Sequence, residues 1–178
     1  MYSDVIRFWF EEAKPAQWFA KDKVFDKLIA RRFSHLHEAA GRCELYEWRS
    51  NVHGRLAEII ILDQFSRNLF RNKPQAFSND AMALSLAQEA VFQDLDDQLT
   101  ISQKQFLYMP FMHSESLIIH DIALRLFNTA GLEDSLEYEK RHRRILERFG
   151  RYPHRNAALG RKSTDEEKQF LKEPGSHF

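Results

Sequence analysis

Three stretches of the chain hold ionisable side chains at spacings that suit chemistry. In "LAEIIILDQFSRNLFR" (56–71), Asp63 and Arg67 stand four residues apart and Arg71 extends their row by a further turn. Gln64 and Asn68 flank that row. In "FLYMPFMHSES" (106–116), His113, Ser114 and Glu115 follow each other just after Pro110. The arginine-rich "ERFGRYPHRNAALGRKS" (147–163) adds Arg151, His154, Arg155, Asn156 and Arg161. Arginine forks hold carboxylate or phosphate at two points. A histidine such as His113 or His154 can move a proton near neutral pH, and Asp63 or Glu115 can orient it. These residue types point to a pocket for a small anion, with Arg67, Asn68, Arg71, Ser114, Arg151, Arg155, Asn156 and Arg161 as its binding set. These residue types suit binding and turnover alike.

Most of the chain follows a helical period, so helices must position these groups. On a helical wheel, residues 55–71 are apolar on two nearly opposite faces, which marks a helix at the centre of the fold. Asp63 and Arg67 fall within one of those faces. Burying them costs several kcal/mol per ion unless each is paired. The pair is therefore either a structural tie between helices or the charged floor of a pocket. Residues 106–127 are apolar almost all round, and Pro110 removes a hydrogen bond, so a bend is expected there. His113 is either a satisfied core histidine or a site group, and Asp121 is the expected internal partner for a ring nitrogen or an arginine.

Other helices are expected over 22–39, over "SNDAMALSLAQEAVF", and over "GLEDSLEYEKRHRRILERFG" up to Gly150. Ser3 is read as the N-cap of the first helix, and "SQKQ" (102–105) as a capping box opening a helix to about Phe127. "STDEE", starting at Ser163, opens the last helix. The sum is an all-α protein of about eight helices in antiparallel pairs, one domain over 1–178.

Several chemistries lack their signatures. No G-x-S-x-G, P-loop, G-x-G-x-x-G or H-E-x-x-H occurs, and no cofactor or metal is expected. The residues left for a metal are His113, His142 and His154 with Asp63 or Glu115. Cys43 stands alone and reads as an incidental small hydrophobe. Lys plus Arg equals Asp plus Glu at 26 each, so no whole-molecule field draws the chain to nucleic acid or membrane. The span 140–162 is basic but has few aromatics for base stacking, so nucleic acid is not expected as a partner. The chain opens without a basic and apolar leader, and a cytoplasmic location is expected.

The quoted blocks, with the opening "VIRFWF", resemble the signature blocks of DUF924, a bacterial family of unknown function. The resemblance spans nearly the whole chain. It implies a tetratricopeptide-like helical fold and brings no established activity. The family pattern has a proline before the third helix, which "YEWRSNVHGR" lacks. As a tetratricopeptide-like module the chain could instead grip a peptide on a concave surface, with its polar residues serving only as a structural network.

Overall fold

The computed structural model describes residues 1–176. Its elements are helical throughout those residues: α1 (Tyr2–Arg7), α2 (Pro15–Trp18), α3 (Lys23–Gly41), α4 (Val52–Ile60), α5 (Ser66–Leu69), α6 (Asp80–Phe92), α7 (Ile101–Met112), α8 (Leu117–Phe127), α9 (Glu133–Phe149) and α10 (Asp165–Phe170). Short 3-10 turns join several of them. Two π-helical turns, Phe8–Glu12 and Ile61–Phe65, continue α1 and join α4 to α5.

The helix expected over 55–71 is the centre of the fold. Every residue from Gly54 to Ser66 is buried. It packs on α1, α6 and α7, while α7 packs on α8 and α8 on α9. The π turn explains how one rod can be apolar on two faces. The residue it inserts turns the helix face, so Ile61, Leu62 and Phe65 all reach core. A ring cluster closes the core at one end: Phe8 and Trp9, consecutive in the other π turn, meet Phe25, Phe65 and Phe106. A smaller core of Ile145, Leu146, Tyr152 and Phe170 sits under the C-terminal loop.

Gly54 is fixed by packing. A Cβ there would lie 2.2 Å from the carbonyl oxygen of Trp48, so the 3-10 turn Tyr46–Ser50 can press on α4 only at a glycine. Arg49 on that turn grips the buried Glu58 at two points, 2.7 and 2.6 Å. The missing proline of "YEWRSNVHGR" thus leaves a turn secured by an ion pair and a close backbone approach.

The details correct several expectations. There are ten α-helical segments among the described residues, not about eight, because Pro15 starts an extra turn and two long helices are interrupted. Helix α1 begins at Tyr2, ahead of the expected Ser3 cap. The cap of α7 is Thr100, whose hydroxyl accepts from the Gln103 amide while Gln103 reaches back, so the box lies two residues before the expected one. Thr164, not Ser163, caps α10. The helix expected to run to Phe127 stops at Met112, two residues past Pro110, and restarts at Leu117. Gly150 does end α9, in the left-handed conformation at φ +67°. Cys43 is exposed rather than packed, at φ +59°.

Candidate functional site

The break between α7 and α8 frees carbonyl groups that a continuous helix would have used. The loop after α9 satisfies two of them, and His120 of α8 a third. Tyr152 donates its hydroxyl to Met112 O at 2.6 Å, and Arg155 donates Nη2 to His113 O at 2.9 Å. His120 Nε2 reaches Ser114 O at 2.9 Å, and Glu139 Oε1 holds the other ring nitrogen of His120 at 2.5 Å. Loop 152–155 is thereby the cap of α7, and a cation there also suits the negative end of the helix. This is why the arginine-rich segment is irregular: its side chains terminate another helix.

The same junction gathers a charged cluster. Asp63, in the π turn of the central helix, is 1% exposed. Its Oδ1 takes His113 Nδ1 at 2.7 Å and lies 3.1 Å from Arg67 Nη1, while its Oδ2 accepts from Gln64 at 2.6 Å. Arg67 then grips Asp80 at two points, 3.0 and 3.1 Å. Arg155 donates to the same carboxylate at 3.1 Å. The Arg155 guanidinium lies between two rings, its Cζ 4.7 Å from the centroids of both Phe77 and Tyr152. His113 makes no protein hydrogen bond through Nε2 among the described residues, and its side chain is 15% exposed.

The electrostatics follow from that geometry. Burial pushes the Asp63 carboxyl up, but the charge of Arg67 and the contact with His113 outweigh it and hold Asp63 well below its ordinary value. Burial and then Arg67 push His113 down, against the opposing pull of Asp63. His113 is therefore neutral at pH 7. With a carboxylate on Nδ1, its proton sits there and the Nε2 lone pair is left over. Burial and Arg67 also lower Arg155, which stays charged as a guanidinium.

The other candidates are distributed elsewhere. Asn68 and Arg71 leave the cluster for α3, where Asp26 takes Arg71 at 2.6 and 2.8 Å and Asn68 at 2.8 Å. Glu115 pairs with Arg161 at 2.6 and 2.9 Å and accepts the Tyr152 amide at 2.7 Å. Arg161 also reaches Asn156 at 2.9 Å. Arg151 holds the buried Glu167 at 2.7 and 2.8 Å, and that grip depresses the carboxyl to about 2. Ser114 contributes its carbonyl, and the ring of His154 lies 5.6 Å from that of Tyr152. Asp121 is not an internal partner. It lies exposed in the middle of α8 and pairs with Arg143 on α9. Among the described residues, no three of His, Cys, Asp and Glu are gathered as metal ligands would be. Two surface depressions of about 360 Å³ each border α1, and neither is lined by the cluster.

Asp80 is the member that sequence reasoning missed. In α6 it is an acid in the first turn, where it suits the dipole. Its spacing from Arg67 is thirteen residues across a loop, which no single-helix periodicity reveals.

The family model for "Bacterial protein of unknown function (DUF924)" matches residues 5–175. The chain belongs to the DUF924 family. A solved structure described as a protein of unknown function, ATU0120 from Agrobacterium tumefaciens, is 38% identical to it, covers 96% of each chain and superposes with a TM-score of 0.91. No curated protein matches. The DUF924 match includes the central helix, the α7–α8 break and the arginine loop, so the junction described above lies within the family's span. Among the described residues no helix is long and apolar enough to cross a membrane.

Proposed function

We propose that this DUF924 protein binds a small anionic molecule at the Asp63–Arg67–His113–Arg155 cluster, and that His113 Nε2 exchanges a proton with it. The observation that carries the reading is the His113 ring: a buried carboxylate fixes Nδ1, while Nε2 has no protein partner among the described residues and the side chain keeps some exposure. A purely structural histidine would spend both nitrogens, as His120 does on Glu139 and Ser114. The π turn that bears Asp63 adds support, because such insertions recur at functional sites. The scaffold is read as a tetratricopeptide-like stack working in the cytoplasm, with no nucleic acid, since the loop arginines are engaged inward.

One observation favours a second reading. Arg151, Arg155 and Arg161 each hold an internal carboxylate, as a structural network would require. In that reading the protein is an interaction module that grips a peptide elsewhere on its helices. Native mass spectrometry of freshly purified protein separates the two. The site reading expects a retained small acid that is lost from His113→Asn and Arg67→Lys. A wild-type protein carrying nothing, with no stabilisation by any member of a small-acid panel, overturns it.

A further inference from the structure

The cluster has two carboxylates in different situations. Asp63 is sealed in and held by His113, Arg67 and Gln64. Asp80 is 18% exposed, on the first residue of α6, and the groups that hold its carboxylate are Arg67 and Arg155. One counter-ion is fixed by the core, and the other lies on the outer side with a path to solvent. If the Asp80 side chain turned outward, Arg67 Nη2 and Arg155 Nη1 would both face the vacated position with no acceptor. Two guanidinium groups that share one partly exposed carboxylate form a carboxylate receptor already filled by the protein's own side chain.

We propose that Asp80 is an internal stand-in for ligand, and that the site takes a small carboxylic acid whose carboxylate displaces Asp80 from Arg67 and Arg155. This rests on the ligand-site reading above and gives it a substrate class. The donor geometry favours a carboxylate over a phosphate. Three N–H groups at 3.0, 3.1 and 3.1 Å address the two oxygens of one planar group. The Arg155 guanidinium, flanked by Phe77 and Tyr152, cannot swing to follow a tetrahedral anion. His113 belongs to the same electrostatic neighbourhood, since its carbonyl shares Arg155 with Asp80. The exchange is one anion for another, with no covalent step. In the wild-type protein Asp80 competes with the ligand, so the apparent affinity is lowered by the fraction of time the receptor is self-occupied.

Acetate, the smallest suitable carboxylate, is the probe, titrated at constant ionic strength against chloride with melting temperature as readout. Wild type, Asp80→Asn and Asp80→Ala are compared. Asparagine keeps the shape and removes the charge, so it serves if the alanine variant does not fold. Saturable stabilisation by acetate is expected in both variants. It should be strongest in Asp80→Ala, with apparent affinity at least about tenfold tighter than wild type, as loss of a charged competitor implies. Adding Arg67→Lys should abolish it. Identical, non-saturating responses in all three proteins overturn the proposal, as does saturation by phosphate without saturation by acetate. The two readings fail separately. Acetate failure beside a His113-dependent retained ligand removes the stand-in and keeps the site. Acetate saturation that His113→Asn leaves unchanged keeps the receptor and removes the role of His113.

Discussion

Asp63 Oδ1 lies 2.7 Å from His113 Nδ1, joining the π turn of the central helix to the residue that ends α7. The contact spans fifty residues of sequence and is nearly sealed on the Asp63 side. It makes the break between α7 and α8 a fixed feature, because His113 is anchored on one side by Asp63 and through its carbonyl by Arg155.

Removing the charge of Asp63 should be costly. Asp63→Asn leaves Arg67 with the outer Asp80 as its one carboxylate, beside the backbone carbonyl of residue 63, and loses charge-assisted bonds to His113 and Gln64. Breaking a buried pair from one side costs about 3–5 kcal/mol. Urea unfolding of the variant should show a loss in that range with an unchanged denaturant slope. A loss below about 1 kcal/mol would mean that the cluster is not bound as described.

Stability should fall on acidification from neutral pH, beginning with histidines. Burial lowers His142 from its ordinary 6.5 to about 3, and burial lowers His37 and His113 as well. The unfolded chain takes these protons below pH 6.5, while the folded protein refuses them until near pH 3 in the case of His142. Their contribution is therefore complete above pH 6.5 and lost progressively as pH falls toward 3. For His142 alone the span is worth on the order of 5 kcal/mol. Glu115, depressed below 4.5 by Arg161 and the Tyr152 amide against the effect of burial, adds a loss only at lower pH. His142→Phe should flatten the stability profile between pH 6.5 and 4.5. An unaltered slope there would contradict the assignment.

Glu115 should govern the order of the arginine loop. Its carboxylate accepts both Arg161 and the backbone amide of Tyr152. Glu115→Ala should speed hydrogen exchange at the Tyr152 amide by about tenfold or more, while amides of α4 keep their protection. Loss of protection across the whole molecule would place Glu115 in the global core instead.

The turn before α4 should tolerate no side chain at position 54. Gly54→Ala sets a methyl 2.2 Å from Trp48 O, against backbone rather than a flexible chain end. Such overpacking costs typically 1–3 kcal/mol, and a clash with backbone belongs at the upper end. A thermal melt unchanged from wild type would contradict the close approach.

The helices and the centrality of 55–71 were legible because 3.6-residue periodicity is local. The pairing of Asp63 with Arg67 was legible for the same reason. The gathering of basic residues in 147–163 was legible too, and there Arg161 meets Glu115. The remainder was hidden by distance in sequence. Nothing in the pattern of α6 distinguishes Asp80 from an ordinary first-turn acid, and nothing near Arg71 announces Asp26, 45 residues earlier. The π turn was also hidden, because it shows in sequence only as a helix that is apolar on two faces.

The most direct test is the protonation state of one ring. Long-range proton–nitrogen NMR of the His113 imidazole, read from pH 5 to 8, reports which nitrogen bears the proton and whether the ring is charged. The account predicts a neutral ring at pH 7 with its proton on Nδ1 and a bare Nε2, and a shift of the Nε2 resonance when a small acid binds. A ring protonated on Nε2 alone, or an imidazolium at pH 7, would contradict it.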